Sequence, residues 1–256
     1  MYDEFTVNKN IPIFAQFIDE AYLGGYARNK VWSTDVVLDL REKVRERAEH
    51  LTYSNAPLYE VLEKRGYLIQ NKSGLVIGSE SPWLEAMLIE FGAKHVTTLE
   101  YGKIISLDSQ IDTYTPTEFI HGFLRGEIPQ FDFAFTYSSI EHDGLGRYGD
   151  VLNPNGDLQT MARVMNFVKP GGFVFVGVPC CHDLLVWNAH RIYGPIRLPK
   201  LFAGYKVLGV YPENSRISHQ NHGNLGYQPV WVLQNRYGCE EFPRRKGPQL
   251  TNFGET

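Results

Sequence analysis

The sequence predicts an α/β fold built on a mostly parallel sheet with helices on both faces. The first observation is a short apolar run over 74–77 that ends at Gly78, then helically spaced apolar residues over 83–91 and a β-branched run over 95–99. These segments read as strand, helix and strand within about 27 residues, the size of a βαβ unit. The second observation is that the alternation recurs, beginning with an apolar and aromatic strand over 131–137.

The later elements continue this alternation. Apolar residues at helical spacing predict a helix over 158–168, and the Lys-Pro-Gly-Gly run at 169–172 is expected to end it. An apolar run over 173–178 predicts another buried strand. The last two strands are expected at 205–211 and 230–234.

The segment before the first strand is predicted to be helical. Apolar residues recur at helical spacing over 36–51, and Ser-Thr-Asp at 33–35 supplies an N-terminal cap. A second amphipathic segment over 58–65 ends at Gly66. We therefore expect three parts along the chain: a helical cap at 1–70, the sheet-bearing domain at 71–240 and a polar, frayed tail at 241–256.

Composition and charge exclude several classes of function. The chain is 43% hydrophobic and 13% aromatic, as expected for a folded core, and its net charge of −4 argues against a nucleic-acid partner. The densest basic stretch, 41–47, alternates with acids and is typical of a solvated helix face. No run of 18 apolar residues and no basic-then-apolar leader is present, so we expect a soluble, cytoplasmic protein without a membrane span. A removed leader would leave the same sequence.

The cysteines predict neither a disulfide framework nor a metal site. Cys180, Cys181 and Cys239 make an odd count, and two of them are adjacent, which suits a reducing compartment. The run Cys-Cys-His-Asp at 180–183 has no second ligand pair nearby in the sequence. We therefore interpret these cysteines as buried thiols and expect no metal.

Two residues at strand ends are candidates for nucleoside binding. In open parallel sheets, ligands bind beyond the carboxyl ends of the strands, where the strand order reverses. Gly78 follows the first strand and permits close approach of the backbone, and Glu100 follows the second, where a carboxylate can accept from both ribose hydroxyls. Taken singly, an ordinary turn glycine and a solvated acid are equally good interpretations. Their spacing across one βαβ unit favours the nucleoside site, and no G-x-G-x-x-G motif supports a dinucleotide.

The second half of the chain resembles a known family. The run FDFAFTYSSIEH at 131–142, a helix, KPGG at 169–172 and a strand ending in Val178-Pro179 resemble the fourth and fifth strands of class I S-adenosylmethionine-dependent methyltransferases. The longer stretches SSIEHDGLGRYGDVLNPNGDLQTMARV and NAHRIYGPIRLPKLFAGY resemble the domain of unknown function 268 family, a methyltransferase-like group. The resemblance covers about residues 74–235. It implies a Rossmann-like sheet of seven strands, the last one antiparallel, with S-adenosyl-L-methionine as cofactor and S-adenosyl-L-homocysteine as product.

The resemblance also implies a cofactor site. Gly78 matches the first glycine of the family's glycine loop, and Glu100 matches the acid that binds ribose. Where that loop usually continues with small residues, this chain has Glu80 and Pro82. Glu80 would either repel the methionine carboxylate or accept from its ammonium group. The residues expected at the cofactor are Gly78, Ser79, Glu80, Glu100, Tyr101, Ser138 and Ser139.

The loops after the fourth strand are expected to hold the methyl acceptor. His142 is the first candidate general base, because histidine titrates near neutrality, and His190 is the second. Asp150 and Arg147 complete the catalytic group, and the residues expected to bind the substrate are Asp143, Tyr148, Arg191 and Tyr193. The alternative interpretation makes Arg147–Asp150 and Arg191–Asp157 ion pairs that hold the loops together, and makes His142 a structural link.

These residues predict an O-methyltransferase for a hydroxyl of a polar small-molecule or glycan acceptor. Two other classes stay open. One is a catalytically silent methyltransferase-like scaffold or partner-binding protein, because the glycine loop is irregular. The other is a nicotinamide-dependent oxidoreductase, which would lack the glycine fingerprint of its class.

Overall fold

The computed structural model describes residues 1–19, 30–48, 55–213 and 228–236. The strands in this part of the chain are β1 (Ile13–Ala15), β2 (Lys30–Trp32), β3 (Ser73–Ile77), β4 (His95–Leu99), β5 (Ile104–Ser106), β6 (Ile111–Tyr114), β7 (Phe131–Tyr137), β8 (Val168–Gly177), β9 (Leu184–Trp187), β10 (His190–Ile192), β11 (Tyr205–Tyr211) and β12 (Val230–Asn235). The α-helices are α1 (Tyr2–Phe5), α2 (Thr34–Arg45), α3 (Ala56–Arg65), α4 (Trp83–Glu90), α5 (Pro116–Leu124), α6 (Gly156–Phe167) and α7 (Leu198–Leu201). Two 3₁₀ turns occur at Gly66–Leu68 and Ile140–His142.

The central sheet has seven strands in the order β11-β12-β8-β7-β3-β4-β6. β3, β4, β6, β7 and β8 are parallel, and β12 runs antiparallel to both of its neighbours, β8 and β11. The predicted fold class is therefore confirmed, including the antiparallel strand near 230–234. The strand order reverses between β3 and β7, so a crevice opens at their carboxyl ends.

Helices cover both faces of this sheet. On one face, α2, α3 and α4 pack against side chains such as Phe133 and Phe135. On the other, α5, α6 and α7 pack against residues that include Leu75 and Phe131. No helix in the described ranges is long and apolar enough to cross a membrane.

Local sequence accounts for the elements that position the crevice. β7 is buried along nearly its whole length, as expected for a central strand covered on both faces. Gly74 on β3 lies beside the Phe133 ring of β7, and any side chain there would overlap that ring. Helix α2 begins as predicted, because the Ser33 hydroxyl accepts from the backbone N–H of Val36 at 3.3 Å.

The structure differs from the prediction in two regions. Residues 1–70 contain strands as well as helices: β1 pairs with β9, and β2 pairs with β5, in two small sheets. Three-residue strands that pair with distant segments leave no periodic signal in the sequence. The run at 169–172 was expected to separate a helix from a strand, but it lies within β8, which begins at Val168. β8 pairs with β7 on both sides of this run, through Val168 and Phe173, and the run itself forms an irregularity in the pairing.

Some predictions concern residues outside the described ranges. They include Leu51 at the end of the first predicted helix, Cys239 and the tail at 241–256. The division into a cap, a domain and a tail stays a prediction.

Candidate functional site

A cavity of about 640 Å³ opens at the carboxyl ends of β3, β4 and β7. This volume lies in the range of about 300–1,000 Å³ typical of small-molecule sites. The cavity wall contains eleven of the residues predicted for the site: Gly78, Ser79, Glu80, Glu100, Tyr101, Ser138, Ser139, His142, Asp143, Arg147 and Tyr148. Lys30 from β2, Phe119 and Ile120 from α5, and Thr160, Arg163 and Phe167 from α6 also line it.

The loop after β3, residues 78–82, packs tightly against the loop after β7. Gly78 has φ of +73°, which favours glycine, and its N–H donates to the Leu99 carbonyl at 3.0 Å. A Cβ on Gly78 would overlap the Ser139 Oγ and lie 2.5 Å from its Cβ. Ser138 itself has φ of +54°. The backbone of Gly78 and the side chain of Ser139 therefore meet at this part of the cavity wall.

Glu100 is held at the cavity by backbone donors. Its Oε2 accepts from the Ser79 N–H at 2.8 Å, and its Oε1 accepts from the Tyr101 N–H at 2.7 Å. Burial raises the pKa of this carboxyl group, and the backbone hydrogen bonds act in the opposite direction. The backbone of Gly102 also donates to this carboxylate, which keeps acceptor capacity for a ligand hydroxyl.

Glu80 forms an ion pair at the cavity wall. Its Oε2 lies 3.1 Å from the Lys30 Nζ of β2. Sequence reasoning did not identify Lys30, because only the pairing of β2 with β5 brings the N-terminal segment to this loop. Lys30 therefore compensates the negative charge of Glu80, whether Glu80 faces the carboxylate or the ammonium group of the cofactor's methionine part.

His142 is buried and linked to a neighbouring loop. Its Nδ1 lies 2.6 Å from the Ala189 carbonyl oxygen, to which it donates, and its Nε2 lies 3.8 Å from Glu141 Oε1. Burial lowers the pKa of His142 to about 3, and Arg147 acts in the same direction. The expectation that this histidine titrates near neutrality is therefore wrong, because desolvation disfavours the imidazolium. The ring is neutral at physiological pH.

Asp143 joins two sides of the cavity. Its Oδ2 accepts from the Thr160 hydroxyl of α6 at 2.6 Å, and its Oδ1 lies 3.5 Å from the Tyr101 hydroxyl. Burial raises the pKa of Asp143 to about 7. Asp143 therefore titrates near neutrality, unlike its neighbour His142.

The other predicted catalytic residues, and Tyr148 from the predicted substrate group, lie near His142 or on the loop that follows it. The rings of Tyr148 and His190 make edge contacts with the His142 ring at centroid distances of 5.6 and 6.1 Å. Arg147 stacks over the Tyr148 ring at 5.1 Å. Asp150 accepts from the Gly144 N–H at 2.6 Å. Its Oδ1 and the Nε2 of His190 are buried and lack a hydrogen-bond partner among the described residues, and neither residue lines the cavity.

Arg191 and Tyr193 lie beneath the loops and do not line the cavity. The Arg191 guanidinium donates to four backbone carbonyls within 141–154, the shortest contact being 2.6 Å to Asp143 O. The Tyr193 hydroxyl donates to buried Asp157 at 2.9 Å, and Arg191 Nε lies 3.8 Å from the same carboxylate. This placement favours the alternative in which Arg191 and Asp157 hold the loops together.

Sequence reasoning missed the main partner in this cluster. Arg197 forms two hydrogen bonds to Asp157, at 2.5 and 2.8 Å, and is itself buried. Burial of Asp157 raises its pKa, but the two guanidinium groups outweigh this and hold it below the usual range. Arg197 lies 40 positions after Asp157 in the chain, so no local sequence pattern indicates that the two side chains pair.

Comparison with known proteins gives one family and several distant structures. The family model described as "Caenorhabditis protein of unknown function, DUF268" matches residues 71–228. No curated protein matches the chain.

Three solved structures resemble this chain at low sequence identity. The Burkholderia thailandensis 1,6-didemethyltoxoflavin-N1-methyltransferase, solved with 1,6-didemethyltoxoflavin and S-adenosylhomocysteine, is 14% identical, with a TM-score of 0.46 over 78% of this chain and 86% of that one. An S-adenosylmethionine-dependent methyltransferase from Mesorhizobium loti is 11% identical, with a TM-score of 0.44 over 70% and 98%. The [4+2]-cyclase SpnF is 14% identical, with a TM-score of 0.48 over 88% and 98%.

The strand order, with its reversal between β3 and β7 and its single antiparallel strand, is that of the class I methyltransferase-like fold. The family model spans more than half of the 256 residues and includes the glycine loop, Glu100 and the 138–164 stretch. The chain therefore has a class I methyltransferase-like fold and belongs to the DUF268 family.

Proposed function

We propose that this chain is an S-adenosylmethionine-dependent O-methyltransferase that acts on a hydroxyl group of a polar acceptor, such as a sugar or glycan. The observation that carries the proposal is the Glu100 carboxylate, held at the cavity by the N–H groups of Ser79 and Tyr101. The backbone donors orient the carboxylate, and the acceptor capacity left on its oxygens suits a ribose hydroxyl.

The cavity wall fits the other parts of the cofactor. Leu99, Phe119 and Ile120 supply apolar surface suited to an adenine ring. The Lys30–Glu80 pair offers one charge of each sign, which matches the carboxylate and the ammonium of the methionine part. Gly78 has no side chain, which allows close approach of its backbone, and the Ser139 side chain packs beside it. The donor set of this cavity thus suits a zwitterionic nucleoside.

When bound, S-adenosylmethionine would supply an electrophilic methyl group: an acceptor oxygen would bond to its carbon in line as the carbon–sulfur bond breaks, and S-adenosylhomocysteine would leave. The chain's own residues must align that acceptor and take its proton. We propose His142 as the base. The hydrogen bond from Nδ1 to Ala189 O selects the tautomer whose Nε2 carries a lone pair, and the low pKa keeps the ring neutral. Tyr148, Arg147 and Asp143 would orient the acceptor, with His190 and Asp150 behind them.

The burial of His142 also supports a competing role. A histidine that links the 140–142 turn to the loop at Ala189 would hold the site in shape without transferring a proton. Its pKa of about 3 makes it a weak base, which limits the driving force for proton transfer. The two roles predict different effects of the H142N substitution on the melting temperature and on turnover.

The direct test is calorimetry of the full chain with S-adenosylmethionine and S-adenosylhomocysteine, followed by transfer of labelled methyl to a panel of polyhydroxylated acceptors. Binding that is weaker in E100Q, together with label in an O-methyl product, would support the proposal. A folded sample that binds neither ligand would favour the catalytically silent scaffold. Reduction or oxidation of a nicotinamide cofactor, followed by absorbance, would favour an oxidoreductase instead.

A further inference from the structure

We propose that Glu85 carries a proton in the folded chain and that this neutral carboxyl group holds the 78–82 loop in the position that lines the cavity. Glu85 is a positioning residue, since it is fully buried in α4 and does not line the cavity. The proposal rests on the proposed function, because it concerns how the cofactor site is held.

The contacts around Glu85 form a short chain of oxygens. The Thr98 Oγ1 of β4 lies 2.7 Å from Glu85 Oε1, and the Ser79 Oγ lies 3.0 Å from Oε2. The Ser79 Oγ also lies 2.9 Å from the Ser81 carbonyl oxygen. The backbone N–H of the same Ser79 donates to Glu100. Glu85 is therefore connected, through one serine, to the carboxylate proposed to bind ribose.

A count of hydrogens shows which form of Glu85 fits. The three oxygen–oxygen contacts each require one hydrogen, since two oxygens at 2.7–3.0 Å without one repel each other. The Thr98 and Ser79 hydroxyls supply two, and the Ser81 carbonyl supplies none. The third must come from Glu85. In the neutral form, Thr98 donates to Glu85, Glu85 donates to Ser79, and Ser79 donates to Ser81.

Ionisation of Glu85 would leave one of these contacts without a hydrogen. If the Ser79 hydroxyl turned to the carboxylate, its contact with the Ser81 carbonyl would become repulsive. If it kept that bond, the contact with Glu85 would become repulsive. Either way the loop must shift, and the Ser79 N–H that orients Glu100 shifts with it.

The electrostatic surroundings agree with a neutral carboxyl group. Burial raises the pKa of Glu85 to about 7, against the lowering by the Thr98 and Ser79 hydrogen bonds, and the nearby Glu100 raises it further. Charged groups on the elements around α4 are paired with one another: Arg41 and Arg45 with Glu90, His95 with Asp112, and Lys30 with Glu80.

The sign of the pH dependence follows from this raised pKa. The pKa of Glu85 is raised in the folded chain, so its protonated carboxyl group stabilises the position of the 78–82 loop at low pH. This stabilisation is lost as the pH rises through about 7. Cofactor affinity should therefore fall on the alkaline side, by at most about tenfold per pH unit for one proton.

The test is calorimetry of the full chain with S-adenosylhomocysteine at about pH 6 and about pH 8.5. Wild type should bind about tenfold more weakly at the higher pH. E85Q should bind with wild-type affinity at pH 6, because the amide N–H donates to Ser79 and the amide oxygen accepts from Thr98. Its affinity should change by less than about twofold between the two pH values. E85A should bind weakly at both values. E90Q, on the same helix, is the matched control and should keep the wild-type pH dependence.

Two results would overturn the proposal. One is an E85Q variant that loses affinity with pH as steeply as wild type, since the slope would then belong to another group, such as Glu100. The other is an E85Q variant as weak as E85A. A second readout needs no ligand: the infrared carbonyl stretch of a protonated carboxylic acid should be present in wild type at pH 6 and absent in E85Q. If wild type binds no ligand, the proposed function fails, and the infrared band alone decides the protonation of Glu85.

Discussion

Glu100 offers the sharpest test of the cofactor site. The E100Q substitution keeps the shape of the side chain but replaces one oxygen by an NH₂ group. Since Ser79 and Tyr101 each direct an N–H at a different oxygen, one of the two must then face another donor. The amide also loses the negative charge that strengthens hydrogen bonds from ribose hydroxyls. E100A removes all of these acceptors at once.

The expected magnitude follows from these contacts. A hydrogen bond to a charged group contributes about 1.5–3 kcal/mol, so E100Q should weaken S-adenosylhomocysteine binding by about 10-fold to 150-fold. E100A should also lower the free energy of unfolding by about 1–3 kcal/mol, because the Ser79 N–H, on a buried residue, loses its acceptor.

Calorimetry with S-adenosylhomocysteine measures the first effect, and thermal or denaturant unfolding measures the second. E127Q is the matched control: it removes the same charge from an exposed pair with Arg125. An E100Q variant that stays folded and binds with wild-type affinity would refute the ribose role. Equal weakening in E127Q would show that net charge, and not the site, is responsible.

Three further predictions concern the loops around the site. G78A should weaken cofactor binding and lower the free energy of unfolding by about 2 kcal/mol or more, because its Cβ overlaps Ser139 and its φ is positive. The double variant G78A/S139G removes the overlap, so its free energy of unfolding should return to within about 1 kcal/mol of wild type. No recovery in the double variant would contradict the steric cause. H142N should leave the melting temperature and cofactor affinity nearly unchanged and lower labelled-methyl turnover by about 100-fold or more; a lower melting temperature with a parallel loss of activity would instead show the structural role. D157N should destabilise the fold by about 3–5 kcal/mol in denaturant unfolding, because it leaves Arg197 buried without its counter-ion. Since the pKa of Asp157 is lowered in the folded chain, wild type should lose the stability that this ion pair supplies as the pH falls, and D157N should not. The same acid dependence in both proteins would contradict this explanation.

Some features of this protein are already present in its local sequence. The βαβ unit over 73–99 is specified by an apolar run, a helical repeat and a β-branched run, and the structure places all three as predicted. Gly78 and Glu100 follow strands that are parallel neighbours, so the chain order alone brings both to the same edge of the sheet. The Ser33 cap is likewise a contact within four residues.

Other features depend on contacts between residues far apart in the chain, which no local pattern encodes. Lys30 reaches the cavity only because β2 pairs with β5, and Arg197 reaches Asp157 only because α7 follows the loops. The pKa of His142 changes from near-neutral to about 3 through burial, and the sequence does not record how deep a side chain lies. Glu85 looks in the sequence like any acid in the first turn of a helix. Only the fold, by closing Thr98 and Ser79 around it, makes it a buried group with a hydrogen to supply.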